Sequence, residues 1–115
     1  MPFRPPDRVL PLTPVAFEIL IALGDGDLHG YGILQAVDAR VGSILPLQTG
    51  TLYRALARLL DDGLIAEVAP GASDVDARRR VYRLTPRGRR IASDEAKRLT
   101  DQLAAARSRR LLKIG

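Results

Sequence analysis

In the stretch "LQTGTLYRALARLLDDGLI", Leu47 to Ile65, apolar and polar residues separate at helical spacing. At 100° per residue, Leu52, Ala55, Leu56, Leu59 and Leu60 fall within an arc of about 140° and form a core face. Opposite lie Gly50, Arg54, Ala57, Arg58 and Asp61, with Thr51 and Tyr53 on the flanks. Gly50 and Ala57 remove bulk, so this face can approach another surface closely. Thr51, near the free amides and positive dipole of the helix start, suits a phosphate. Tyr53 can donate its hydroxyl to a phosphate or lay its ring on a thymine methyl. Arg54 and Arg58, one turn apart, can reach base edges or phosphates on one side of a groove. A plainer reading packs Tyr53 against a neighbouring element and pairs the two arginines with Asp61 or Asp62.

The rest of the charge is unevenly placed. Residues 1–77 carry five basic and ten acidic side chains, whereas residues 78–115 carry thirteen basic and three acidic. Sixteen of the eighteen basic residues are arginine, which makes bidentate contacts with phosphate and guanine. This asymmetry favours nucleic acid as a partner, against the blander alternative of a solvated basic helix. Arg78, Arg79 and Arg80 are consecutive, so in a strand they face alternate ways and cannot all touch one duplex. Asp74 and Asp76 make the preceding loop less than uniformly cationic.

Other chemistries are poorly represented. His29 is the single histidine and there is no cysteine, so thiol catalysis, disulfides and Cys-type zinc sites are excluded. No Ser–His–acid set, phosphate loop or inward carboxylate pair is present, and "GDGD" at 24–27 lacks the further ligands of a calcium loop. The chain does not read as an enzyme, and it calls for no cofactor or metal. The longest apolar run, Ile19 to Leu23, is too short to span a bilayer. The proline-rich start lacks the apolar segment of a signal peptide, and a cytoplasmic location fits these features.

The elements that must position the basic face follow from periodicity and breakers. Thr13-Pro14 begins a first helix that is apolar nearly all round and stops at Gly24 and Gly26. A second helix starts near Gly30, carries the stripe Ile33, Leu34, Val37, Val41, and ends at Gly42. Thr49 is expected to cap the third, which runs to about Asp62 before Gly63. "LIAEVA" and "RVYRLT" alternate as two strands of a β-hairpin, joined by the turn-rich "PGASDVDARR". Thr85-Pro86 starts a final helix extending to about Lys113. Arg87, Arg89 and Arg90 lie at the end of that helix where cations are unfavourable, a cost that invites an anionic partner and that water and salt can also meet. Ala92, Ala96, Leu99, Leu103 and Ala106 form a heptad-like seam suited to close packing on a partner chain, or partly on the helix's own domain.

The fold is therefore mainly α with a small β-hairpin: a winged helix-turn-helix plus a long C-terminal dimerisation helix. Residues 1–12 form an extended arm, 13–85 the DNA-binding domain and 86–115 the dimerisation helix. In this layout the third helix enters the major groove and the hairpin touches the flank. The expected contacts are Thr49, Thr51, Tyr53, Arg54 and Arg58, with Arg78, Arg79 and Arg80 on the wing.

The blocks "LTPVAFEILIALGDGDLHGYGIL", "TGTLYRALARLLDDGLI" and "RRRVYRLTPRGRR" together resemble the PadR family of bacterial transcriptional regulators. The resemblance covers about Leu12 to Ile91. It implies a homodimer on a pseudo-palindromic double-stranded operator, usually as a repressor, with a small-molecule effector where one is known. It carries recognition roles to Thr51 and Tyr53, a basic wing edge to Arg78–Arg80, and a structural role to His29, Gly30 and Tyr31, with Tyr31 as an aromatic wedge. Many relatives have proline where this chain has Arg54. Some short relatives stack flat drugs on a Trp of the last helix, and this chain has none. Two alternatives are a ligand- or protein-binding winged-helix dimer without specific DNA recognition, and an architectural protein that binds DNA regardless of sequence.

Overall fold

The computed structural model describes residues 9–68 and 79–112. Residues 1–8 of the arm, the hairpin loop 69–78 with Asp74, Asp76 and Arg78, and Lys113 lie outside the described residues. Helix α1 spans Pro14–Ala22, capped by Thr13, whose Oγ1 accepts from the Ala16 amide at 3.1 Å. A single 3-10 turn, Leu23–Asp25, follows. Helix α2 is Gly30–Val41, and α3 is Thr49–Asp61. Strands β2, Ile65–Val68, and β3, Val81–Leu84, form the hairpin, and α4 is Pro86–Ser108.

Three sequence expectations change. Thr49 does not cap α3: Gln48 holds the extended cap position and makes no side-chain capping bond, so Thr49 is the first helical residue. The hairpin becomes a three-stranded sheet in the order β1-β3-β2, because Leu28–His29 forms strand β1 against β3, with Leu28 opposite Tyr82 and His29 opposite Val81. Two residues are too few to show alternation. Helix α4 ends near Ser108 because Arg110 adopts φ 61, with the Leu111 amide bonding the Ala106 carbonyl at 2.9 Å. That is the stop glycine makes at Gly63 (φ 73), where the Leu64 amide bonds the Leu59 carbonyl. An arginine in this position carries no stop signal.

The core joins all layers. Ile19, Leu20 and Leu23 meet Ile33 and Val37 of α2 and Leu52, Leu56 and Leu59 of α3. Leu64, Ile65 and Tyr82 close it beneath the sheet, and Ile91 adds the start of α4. Stacking α3 on α1 and α2 buries its leucine stripe and turns the opposite face outward.

The first turn of α4 lies directly on the α3–β2 junction. Thr85 Oγ1 donates to the Gly63 carbonyl at 2.7 Å and accepts from the Gly88 amide at 2.9 Å. Arg87 donates to the Asp62 carbonyl at 3.0 Å, and Arg89 to the Gly24 carbonyl at 3.3 Å. Two of the cations that began α4 thus rest on carbonyls at the ends of other helical segments, where partial negative charge gathers.

Candidate nucleic-acid interface

The outward face of α3 is the one its periodicity indicates. Gly50, Arg54, Ala57, Arg58 and Asp61 are exposed, while Leu52, Leu56 and Leu59 are buried. The first intrahelical amide bond runs from Leu52 to the Gln48 carbonyl at 3.0 Å. Without a side-chain cap, the Thr49, Gly50 and Thr51 amides point along the axis with their partial positive charge available to an anion. Arg54 folds back over this turn: its Nη2 donates to Thr51 Oγ1 at 3.3 Å, and Nη1 lies 3.4 Å from where a Cβ on Gly50 would sit. An added side chain at Gly50 would thus meet the guanidinium at ordinary contact distance, and the small residue leaves this turn open to an approaching surface.

Neither Arg54 nor Arg58 forms an ion pair with a described residue, and the expected alternative partners, Asp61 and Asp62, do not engage them. Arg58 and Asp62 instead line a cleft of about 200 Å³ walled by Val9, Leu12, Ala16, Ala55 and Leu59. Tyr53 is half-buried and packs against the core, so only part of its side chain is open to solvent.

The hairpin carries the second basic group, with Arg79 and Arg80 immediately before β3. In the register, Glu67 is opposite Tyr82 and Val68 opposite Val81. Tyr82 is 3% exposed, and burial together with the nearby Glu67 carboxylate pushes its hydroxyl above its ordinary value. Arg80 falls on the Tyr82 side and pairs with Glu67, Nη1 to Oε1 at 3.4 Å. Arg79 is exposed. Its carbonyl bonds His29 Nδ1 at 3.2 Å, while the Arg80 carbonyl accepts from the Gly30 amide at 3.2 Å. The "HGY" block thus anchors the wing to the start of α2 through its backbone. Gly30 is buried there, but Tyr31 is 54% exposed, so it is no wedge beneath α2. Arg83 grips Asp27 with three contacts of 2.8–3.2 Å, and its guanidinium holds that carboxyl below its usual range.

Along α4 the seam residues occupy two settings. Ala92 packs on the chain's own core and Leu99 is half-buried, whereas Ala96 and Leu103 are exposed and Ala106 is half-buried near the helix end. Two carboxylates escaped sequence reasoning. Glu67 shares the strand face of buried Ile65, and Glu95 sits between Ile91 and Leu99 on the inward stripe of α4. A carboxylate on an apolar stripe was the available signal in both. Glu95, 1% exposed, accepts from the Leu12 amide at 2.7 Å and pairs with Arg98.

Among the described residues, no helix is long and apolar enough to cross a membrane, and no three His, Cys, Asp or Glu side chains cluster as metal ligands. Comparison with known proteins gives the arrangement its family. The Transcriptional regulator PadR-like family matches residues 19–94. The transcriptional regulator Rv3488 of Mycobacterium tuberculosis is 38% identical over 91 residues, covering 78% of each chain. A protein in transposon TN4556 of Streptomyces fradiae is 40% identical over 78 residues, which are 68% of this chain, but the match spans only 21% of that relative's length. Bacillus subtilis PadR, crystallised in complex with operator DNA, superposes with a TM-score of 0.60 at 25% identity, over 73% of this chain and 47% of that one. The chain belongs to the PadR-like family of transcriptional regulators.

Proposed function

We propose that this protein is a sequence-specific DNA-binding repressor, acting in the cytoplasm as a homodimer on a pseudo-palindromic operator and released by a small-molecule effector. The observation that carries the reading is the outward face of α3: small at Gly50 and Ala57, cationic at Arg54 and Arg58, with an uncapped, amide-rich start at Thr49–Thr51. The operator complex of Bacillus subtilis PadR supports DNA as its ligand. In this reading residues 13–85 dock on DNA, with α3 in the major groove and Arg78, Arg79 and Arg80 on the flank. Residues 1–12 form an arm, and residues 86–115 join the two copies. Ala96, Leu99, Leu103 and Ala106 meet the partner, and Ala92 backs the seam from within the domain. Two copies then set their α3 helices about 34 Å apart, one turn of the duplex. An effector that alters the angle between copies alters that spacing, which is the leverage needed for release.

A salt-titrated mobility-shift assay on the promoter upstream of the protein's own gene tests the reading. Retention of that promoter over random duplex at physiological salt is the expected result, and equal affinity for both sinks sequence-specific repression. Arg54→Ala is expected to weaken promoter binding by about 1–3 kcal/mol and to relax preference at one base pair. An equal loss on every sequence, with a shallower salt slope, reassigns Arg54 to a phosphate.

A further inference from the structure

We infer that Glu67 is a built-in counter-ion that competes with DNA phosphate for Arg80 and so lowers the wing's sequence-independent affinity. The inference rests on the DNA-binding reading above. Arg80 and Glu67 share the side of the β2–β3 ladder that carries Tyr82, and they pair at 3.4 Å with both side chains still partly open to solvent. The backbone on either side of this pair is fixed. The Arg79 carbonyl is bound by His29 and the Arg80 carbonyl by the Gly30 amide, while Glu67 lies within the paired strand β2. The pair therefore forms between two side chains whose backbone is held in place.

Arg79, one residue earlier, is exposed and has no ion pair with a described residue, so the two neighbouring cations differ in their engagement. A phosphate approaching Arg80 must displace a carboxylate already in place, and that carboxylate then stands as a like charge beside the phosphate. Both effects reduce what Arg80 contributes, without regard to base sequence. A partly exposed pair is worth little to folding, because solvent screens the attraction and ordering two long side chains offsets it. Its placement matters more to binding than to stability.

Glu67→Gln keeps the size and polarity of the side chain and removes the charge. Affinity should rise several-fold, by the same factor on the promoter and on a short random-sequence duplex. The logarithmic salt slope should steepen by about 0.9, one further counter-ion released. Arg80→Gln in the same background should abolish the gain, and unchanged melting temperatures exclude a folding effect. Unaltered affinity in Glu67→Gln, while the wild type binds normally, overturns the inference. A gain that persists undiminished with Arg80→Gln also overturns it, because Glu67 then acts by direct repulsion alone. Failure of the wild type to bind either duplex at low salt is a different outcome, which removes the DNA-binding reading itself and this inference with it.

Discussion

Gly88→Ala is expected to destabilise the domain by about 3 kcal/mol, at the upper end of overpacking costs. A Cβ at this position would lie 1.9 Å from the Leu64 carbonyl oxygen and 2.8 Å from its carbon. Both partners are backbone, so no rotamer change relieves the contact. The same carbonyl accepts the Thr85 amide at 3.2 Å, and Thr85 caps α4 through the Gly88 amide. Moving α4 off Leu64 therefore loosens the cap and the β2–α4 junction together. Thermal unfolding should fall by roughly 10–20 °C. Gly24→Ala is the matched control, since nothing lies within 4 Å of its added Cβ. Equal melting temperatures for Gly88→Ala and the wild type would show that α4 does not seat on Leu64 as described.

The second large effect is expected at Glu95. Glu95→Ala should cost about 2–4 kcal/mol: the Leu12 amide loses its acceptor, which costs about 1–3 kcal/mol. Arg98 loses its partner but is 40% exposed and is re-solvated, so the full penalty of a broken buried pair is not reached. Glu95→Gln keeps an acceptor for Leu12 and should lose less. The two differ from the wild type in their response to acid. The Arg98 hydrogen bond, and behind it the Leu12 amide, lower the Glu95 carboxyl below its ordinary value despite the opposing effect of burial. A carboxyl depressed in the folded state stabilises fully above its unfolded value, and that contribution disappears as pH falls through the folded one. Urea unfolding from neutral pH down through the carboxylate range should therefore show the wild type converging on Glu95→Gln in acid. A constant gap at all pH values would remove the ionised Glu95 from the account.

Sequence and structure divide along a physical line. Helical and strand spacing act over neighbouring residues, so Thr13-Pro14, the α3 leucine stripe, Gly63 and Thr85-Pro86 marked their elements in the linear text. The leucine stripe is buried in the fold, and the others appear with their hydrogen-bond partners. Strand β1 did not show itself, because its identity lies in the partner β3, more than fifty residues away, and not in its own two residues. The end of α4 was hidden for a related reason. Arg110 takes the left-handed conformation, which only a glycine or asparagine would have announced.

The candidate site divides the same way. The amphipathic pattern alone determined which face of α3 looks outward, since burying Leu52, Leu56 and Leu59 leaves Gly50, Arg54, Ala57 and Arg58 no other side. Only the tertiary structure decided which cations are occupied. Arg80 meets Glu67 across a ladder, Arg83 meets Asp27 across the β1 junction, and Arg87 and Arg89 meet distant carbonyls. Composition counts all of these charges alike. Long-range pairing separates them, because an arginine's availability depends on what the fold sets within a few ångströms of its guanidinium, and those neighbours are remote in the chain.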